Sequence, residues 1–176
     1  WERIATENKN ILKLSKKAEK QYHLKENSVI LTTKKPPLFF RAFMFPMAFI
    51  SFALPLLFIY NLIVNGGRFH IGYLIAAGAF GLLGFYILRV ALWNSYGSEK
   101  ISFFDKHIEY EADYGWFKDG KTSITNKKDN KYSVSAVGYE DDQVGVLSIN
   151  GEDGQITSVV KMPINQLENL IEELKK

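Results

Sequence analysis

The sequence predicts an α+β membrane protein, made of a two-helix transmembrane hairpin and a small β-rich domain that ends in one helix. Two apolar runs, residues 42–64 and 71–93, contain 23 residues each, and Arg89 is the only charged residue in them. Apolar and polar residues then alternate in segments between 101 and 162, which is typical of strands with one buried face. Residues 164–175 show apolar residues at helical spacing.

Each apolar run is long enough to cross a bilayer. As a helix with a rise of about 1.5 Å per residue, either run spans about 34 Å, and the hydrocarbon core of a bilayer is about 30 Å thick. Pro46 and Pro55 lie in the first run, and membrane helices tolerate the kinks that proline introduces. Residues 65–70 are the predicted connecting loop.

Small residues mark one face of the second predicted helix. They let helix backbones approach closely, so we expect this face to pack against the first helix. Contact with a second copy of the chain, giving a homo-oligomer, is the alternative use of the same face. The residues are Ala77, Gly78, Gly81 and Gly84.

Basic residues predict the orientation of the hairpin. They flank the start of the first helix, whereas the connecting loop holds only Arg68. Since basic flanks favour the cytoplasmic side, we expect a multi-pass protein of the cell (inner) membrane with both termini in the cytoplasm. The residues expected to anchor the hairpin to lipid headgroups are Lys34, Lys35, Arg41, Arg89 and Trp93.

The two flanks of the hairpin differ in charge. Residues 1–38 carry nine Lys or Arg and four Glu, for a net charge of +5, whereas residues 94–176 have a net charge of −5. We divide the chain into an N-terminal arm (1–38), the hairpin (39–93) and a cytoplasmic domain (94–176). Residues 1–25 are predicted to form an amphipathic helix that lies either on anionic lipid or on the acidic domain. Residues 28–33 are predicted to form a short strand.

The domain is predicted to hold six or seven short strands and one terminal helix. An Asp-Gly pair at 119–120, following the strand-like segment 114–117, indicates a hairpin turn. The polar, glycine-containing segment 150–154 indicates a second one. The predicted strands are 101–104, 107–112, 114–117, 132–139, 143–149 and 155–162, followed by the helix at 164–175.

The end of the chain resembles bacterial pleckstrin-homology-like domains. There VVKMPI at 159–164 is followed by QLENLIEEL at 166–174, so that a last strand runs through a proline into a helix. The order of basic arm, membrane hairpin and such a domain resembles the YcxB-like two-pass membrane proteins. The segment KYSVSAV at 131–137 departs from that family's aromatic-plus-isoleucine pattern. The resemblance implies a membrane-tethered binding or scaffold domain.

Motifs for catalysis or metal binding are not recognisable in the sequence. His23, His70 and His107 are widely separated, and the chain has no cysteine. The acidic turns 140–142 and 152–153 lack the ligand spacing of a calcium-binding loop. We therefore expect a protein that is not an enzyme and has no cofactor or metal. The net negative charge of the domain argues against nucleic acid as a partner and disfavours anionic headgroups.

The expected function is to engage a protein partner at the inner face of the membrane. Aromatic and acidic residues at the turns of the domain are the expected contacts, namely Tyr114, Trp116, Phe117, Tyr139, Asp141 and Asp142. Two alternatives remain open: an immunity protein that blocks a membrane-acting toxin, and an accessory subunit of a transporter or secretion complex.

Overall fold

The computed structural model describes residues 20–68, 70–138 and 142–175. Within these ranges the helices are α1 (Leu38–Val64), α2 (Ile71–Tyr96) and α3 (Ile164–Leu174). The strands are β1 (Tyr22–Lys25), β2 (Ser28–Thr32), β3 (Ser98–Phe103), β4 (His107–Asp113), β5 (Lys118–Thr125), β6 (Lys131–Ala136), β7 (Val144–Asn150), β8 (Gln155–Thr157) and β9 (Met162–Pro163).

The apolar runs form two long helices that pack against each other along the hairpin. Both are long and apolar enough to cross a membrane, and only 11% of the most apolar window of α1 and 6% of that of α2 is buried. Most of their large side chains are therefore exposed, as a lipid-facing surface requires. Each helix extends beyond its predicted run at the end nearest the domain.

The helical hairpin is inserted between two neighbouring strands of one sheet. The first sheet has the order β1-β2-β3-β4-β5 with antiparallel neighbours. Val29 pairs with Ile101 across the whole hairpin, and Leu31 pairs with Glu99. The strands before and after the hairpin therefore belong to one domain, although the sequence division placed 1–38 and 94–176 in separate parts.

The predicted amphipathic helix does not reach residue 25. Residues 22–25 form β1 instead, and Tyr22 pairs with Leu31 and is buried. The strand pairing and the burial of Tyr22 outweigh the helical spacing in this segment. The remainder of the predicted helix, residues 1–19, lies outside the described part of the chain.

The turn between β4 and β5 differs from the predicted one. Asp119 and Gly120 lie within β5, and the turn is formed by residues 114–117, which were predicted to be a strand. Gly115 has a φ of +85°, which glycine adopts without steric cost. Its N–H donates to Asp113 Oδ1 at 2.7 Å, and the Tyr114 N–H donates to the Phe117 carbonyl at 2.9 Å.

The second sheet is built around β7. This strand pairs with β6 on one edge and with both β8 and β9 on the other. The predicted turn at 150–154 is present, with the Gly151 N–H donating to the Gly154 carbonyl at 2.9 Å. The predicted strand 155–162 is interrupted: the Ser158 N–H still donates to the Leu147 carbonyl of β7 at 2.8 Å, and residues 159–161 then leave this edge before β9 returns to it.

The core of the domain lies between the sheets and α3. The terminal helix contributes Leu167, Leu170 and Ile171, and Leu92 of α2 is buried in the same cluster. The base of the hairpin is therefore part of the core. The architecture is α+β, with two long apolar helices, a β-rich region and a C-terminal helix, as the sequence predicted.

Candidate functional site

The β4–β5 turn packs along the domain end of α2. The Tyr114 ring lies 5.0 Å from the Trp93 ring and stacks on Phe117 at 4.7 Å, and Phe117 stacks on Phe85 at 6.4 Å. A Cβ added at Gly115 would lie 2.8 Å from the Cβ of Tyr96. This close approach explains why residue 115 is a glycine. The contacts from Phe85 to Tyr96 fix the β4–β5 turn against several turns of α2.

An ion pair joins the same helix to β5. The Arg89 guanidinium lies 2.7 Å from the Asp119 carboxylate, and its Nε donates to the Tyr114 hydroxyl at 3.1 Å. The Gly120 N–H and the Arg89 guanidinium lower the pKa of Asp119 below its usual range. Arg89 is therefore turned toward a protein carboxylate, whereas the sequence predicts that it contacts lipid headgroups.

The predicted partner-contact residues have different environments. Tyr114 is buried, and Phe117 is partly buried and packs on the core, so both contact the chain's own helix. Trp116 is 69% exposed, and Asp142 is also exposed. Tyr139 and Asp141 lie outside the described residues. The structure thus brings Tyr114 and Phe117 together and leaves Trp116 at the surface.

The predicted headgroup anchors also divide into two groups. Lys34 and Lys35 are exposed between β2 and α1. Arg41 is partly buried, and its Nε has no hydrogen-bond partner among the described residues. Trp93 packs against the domain core, and Arg89 pairs with Asp119 of β5, so these two residues connect the helix to the domain.

A buried glutamate of the first sheet binds the segment between β8 and β9, and it was not among the residues predicted from the sequence. Glu99 of β3 is fully buried, and its Oε1 accepts hydrogen bonds from the Tyr110 hydroxyl at 2.8 Å and from the N–H groups of Val159 and Val160. Its Oε2 has no partner among the described residues. Burial raises the pKa of Glu99. The signal was its position two residues before the buried Ile101, which places it on the inner face of the strand.

One of the glycines on the small-residue face of α2 makes a close contact with α1. A Cβ added at Gly84 would lie 3.0 Å from the Phe52 ring of α1, whereas one added at Gly78 or Gly81 would meet nothing within 4 Å. Ala77 is partly buried. Gly84 is therefore the close contact between the helices, and Gly78 is left exposed on α2.

Replacing Gly84 by leucine is expected to separate α1 from α2, because the added side chain collides with Phe52. Overpacking of this kind costs about 1–3 kcal/mol. The midpoint of thermal unfolding in detergent, followed by circular dichroism, measures the loss. Gly78→Leu is the matched control and should leave the midpoint unchanged. Equal losses in both variants would contradict the assignment of Gly84 as the contact, and a change of oligomeric state in Gly78→Leu alone would identify that face as a contact between copies.

A polar cleft of about 390 Å³ lies at the end of the domain away from the hairpin. It is bordered by the β1–β2 turn, by Phe103 at the end of β3, by Tyr132 of β6 and by the last turn of α3. Burial raises the pKa of Tyr132. No group of His, Asp or Glu residues that could hold a metal ion occurs in the described ranges.

Comparison with known proteins adds no relative: no family model, curated protein or solved structure matches the chain.

Proposed function

We propose that the chain is a two-pass protein of the cell's inner membrane whose β-rich, pleckstrin-homology-like domain is a non-enzymatic binding or scaffold module for a protein partner at the cytoplasmic face. The observation that carries this proposal is the insertion of the hairpin between β2 and β3. Because these strands are neighbours, both flanks of the hairpin lie at one end of it. A bilayer crossed by α1 and α2 would then have the whole domain on one side.

The manner of attachment supports a scaffold role. The base of α2 is buried in the domain core through Leu92, and the Arg89–Asp119 pair adds a second link. A domain attached in this way has a fixed orientation to the membrane. Confinement to a surface raises the effective concentration of a binding module for a partner on the same membrane.

The edge of β6 is the surface best suited to a protein segment. Among the described strands it pairs only with β7, and an open strand edge can accept an extended segment by backbone hydrogen bonding. The sequence KYSVSA places one charged residue on β6. The other long edge strand, β5, carries Lys118, Asp119 and Lys121, and the β4–β5 pairing has a bulge at Tyr110/Ala112. Charges and bulges protect strand edges, so β6 is the less protected edge.

The cleft described above lies next to this edge. Tyr132 of β6 and Leu174 of α3 both line it. A segment added along β6 would therefore have a place for a side chain beside the end of α3. This is the pairing of backbone contacts with a side-chain pocket that gives strand addition its specificity.

Cysteine labelling tests the membrane part of the proposal. The chain has no cysteine, so Arg68→Cys in the connecting loop and Asp105→Cys in the β3–β4 turn each introduce one thiol at an exposed position. In intact cells a membrane-impermeant maleimide should label the cysteine at 68, and it should label that at 105 only after permeabilisation. Labelling of both from the same side would rule out a two-pass protein, and labelling of 105 alone would invert the orientation.

Photo-crosslinking tests the binding part. A benzophenone amino acid at the exposed position Ser133 of β6 should form an adduct with one protein in native membranes, whereas the same probe at Lys121 of β5 should not. Replacing Ser135 by lysine should abolish the adduct, because a lysine on an edge strand blocks strand addition. An adduct that is unaffected by Ser135→Lys would refute strand addition at this edge. Adducts from Gly78 of α2 in place of Ser133 would instead favour an immunity protein or an accessory subunit.

A further inference from the structure

The domain end of the hairpin carries a band of exposed aromatic side chains. On α1 these are Phe39, Phe40 and Phe43, and on α2 Tyr96 is exposed. Trp116 of the β4–β5 turn is also exposed, and the neighbouring Gly115 lies against Tyr96 of α2. Aromatic residues concentrate where headgroups meet acyl chains, so the position of the turn relative to this boundary matters.

The length of α2 fixes that boundary. The part of α2 before its contacts with the turn, residues 71–84, is about 21 Å long at about 1.5 Å per residue. A hydrocarbon core of about 30 Å requires about 20 residues. Counted from Ile71, the first residue of α2, this places the end of the membrane-embedded part at residue 90. Phe85, which contacts the Phe117 ring, is then inside the hydrocarbon region, and Arg89 and Asp119 lie at its edge. The turn cannot remain in bulk water under these conditions.

The composition and hydrogen bonding of the turn suit this position. Residues 114–117, Tyr-Gly-Trp-Phe, carry no charge. The charged residues that follow them are paired, Lys118 with Glu111 and Asp119 with Arg89. The Tyr114 N–H donates to the Phe117 carbonyl, and the Gly115 N–H donates to the carboxylate of Asp113, the last residue of β4. Each bonded N–H group, and each paired charge after the turn, lowers the cost of entering a less polar environment.

We propose that the β4–β5 turn is an interfacial membrane anchor, in which Trp116 lies among the lipid headgroups at the edge of the acyl chains and the Phe117 ring reaches the hydrocarbon beside α2. This inference rests on the proposed function, because it requires α1 and α2 to cross the bilayer. Its ligand is the lipid surface itself. The turn fixes the domain against the membrane at a point separate from the two helices.

Site-directed spin labelling of the cysteine-free chain in lipid nanodiscs tests the proposal. A nitroxide is placed by Trp116→Cys in the turn, by Leu82→Cys on the exposed face of α2, and by Asp105→Cys at the opposite end of β4. Collision with oxygen, which is enriched in lipid, is compared with collision with a water-soluble nickel chelate. We expect the label at 116 to collide several-fold less with the nickel chelate than the label at 105, and to lie shallower than the label at 82.

The three labelled positions distinguish failure of the turn anchor from failure of the membrane hairpin. If 116 is as accessible to the nickel chelate as 105 while 82 is protected, the turn is in water and the anchor is refuted, although the hairpin crosses the membrane. If 82 is also accessible, the hairpin is not inserted and the proposed function fails.

A second measurement keeps the native tryptophan. In the variant Trp1→Phe/Trp93→Phe, Trp116 is the only indole, since the chain has three tryptophans. Lipids brominated near the carbonyl end of the acyl chain should quench its emission more strongly than lipids brominated near the methyl end. Absence of quenching by both lipids would overturn the anchor.

Discussion

Replacing Leu92 by alanine is expected to lower the free energy of unfolding of the β-rich domain by about 2–5 kcal/mol, the range for large-to-small changes in a packed core. Leu92 belongs to α2, yet it is fully buried among side chains of the sheets and α3. The alanine leaves a cavity at the point where the hairpin enters the domain. Thermal or chemical unfolding in detergent, followed by circular dichroism in the strand region, measures the effect.

The matched control is Leu82→Ala on the same helix. Leu82 is 75% exposed, so its loss should change stability by less than about 0.5 kcal/mol. If the two variants have the same stability, α2 does not contribute to the domain core. The hairpin would then be a flexible tether, and the fixed orientation used in the proposed function would be lost.

The sequence predicts the elements whose signals are local. The apolar runs reach the length of a membrane span without any long-range information, and α3 is recognisable from the spacing of Leu167, Leu170 and Ile171. The turn at 150–154 is likewise encoded by glycines within five residues. Each of these features depends on residues that are near one another in the chain, and each is present in the structure.

The insertion of the hairpin into a sheet has no local signal. The pairing of Val29 with Ile101 depends on contacts between segments on either side of two long helices. Strand-like composition at residues 28–33 indicates a strand, but it does not indicate which other strand pairs with it. For this reason the arm and the domain were predicted as separate parts, and β1 was read as the end of a helix.

The sequence identifies residues of the candidate site but not what their side chains contact. The aromatic residues at 114–117 were recognised as a cluster, but alternation along a strand cannot say whether they face a partner or the chain's own α2. The Arg89–Asp119 pair shows the same difficulty. A charged residue in an apolar run indicates an interaction, and only the fold shows that the partner is a protein carboxylate.

Glu99→Ala is expected to be the other strongly destabilising substitution. It leaves the Tyr110 hydroxyl and the Val159 N–H without their acceptor. Two such donors at about 1–3 kcal/mol each give a loss of about 2–6 kcal/mol. The same unfolding measurement in detergent quantifies it. Glu99→Gln is the matched control, since its amide oxygen can accept both bonds in a side chain of the same shape, and it should retain most of the stability at low pH.

The pH dependence distinguishes the charge of Glu99 from its hydrogen bonds. Burial raises the pKa of Glu99 in the folded protein above its ordinary value of 4.5, so the folded state binds more protons than the unfolded state between the two values. Stability that depends on neutral Glu99 is therefore fully present below pH 4.5 and is lost as the pH rises through the folded-state pKa. The glutamine variant has no such titration.

The stability of wild type relative to Glu99→Gln should therefore fall as the pH is raised from about 4 to 8, a range that starts below the ordinary glutamate pKa. The comparison removes the contributions of other titrating groups, because both proteins share them. A difference that is constant across this range would mean that Glu99 has the same pKa in the folded and unfolded states, so that burial does not raise it. A difference that grows in favour of wild type would mean that the hydrogen bonds from Tyr110 and Val159 outweigh burial, and that the carboxylate is the form that accepts them.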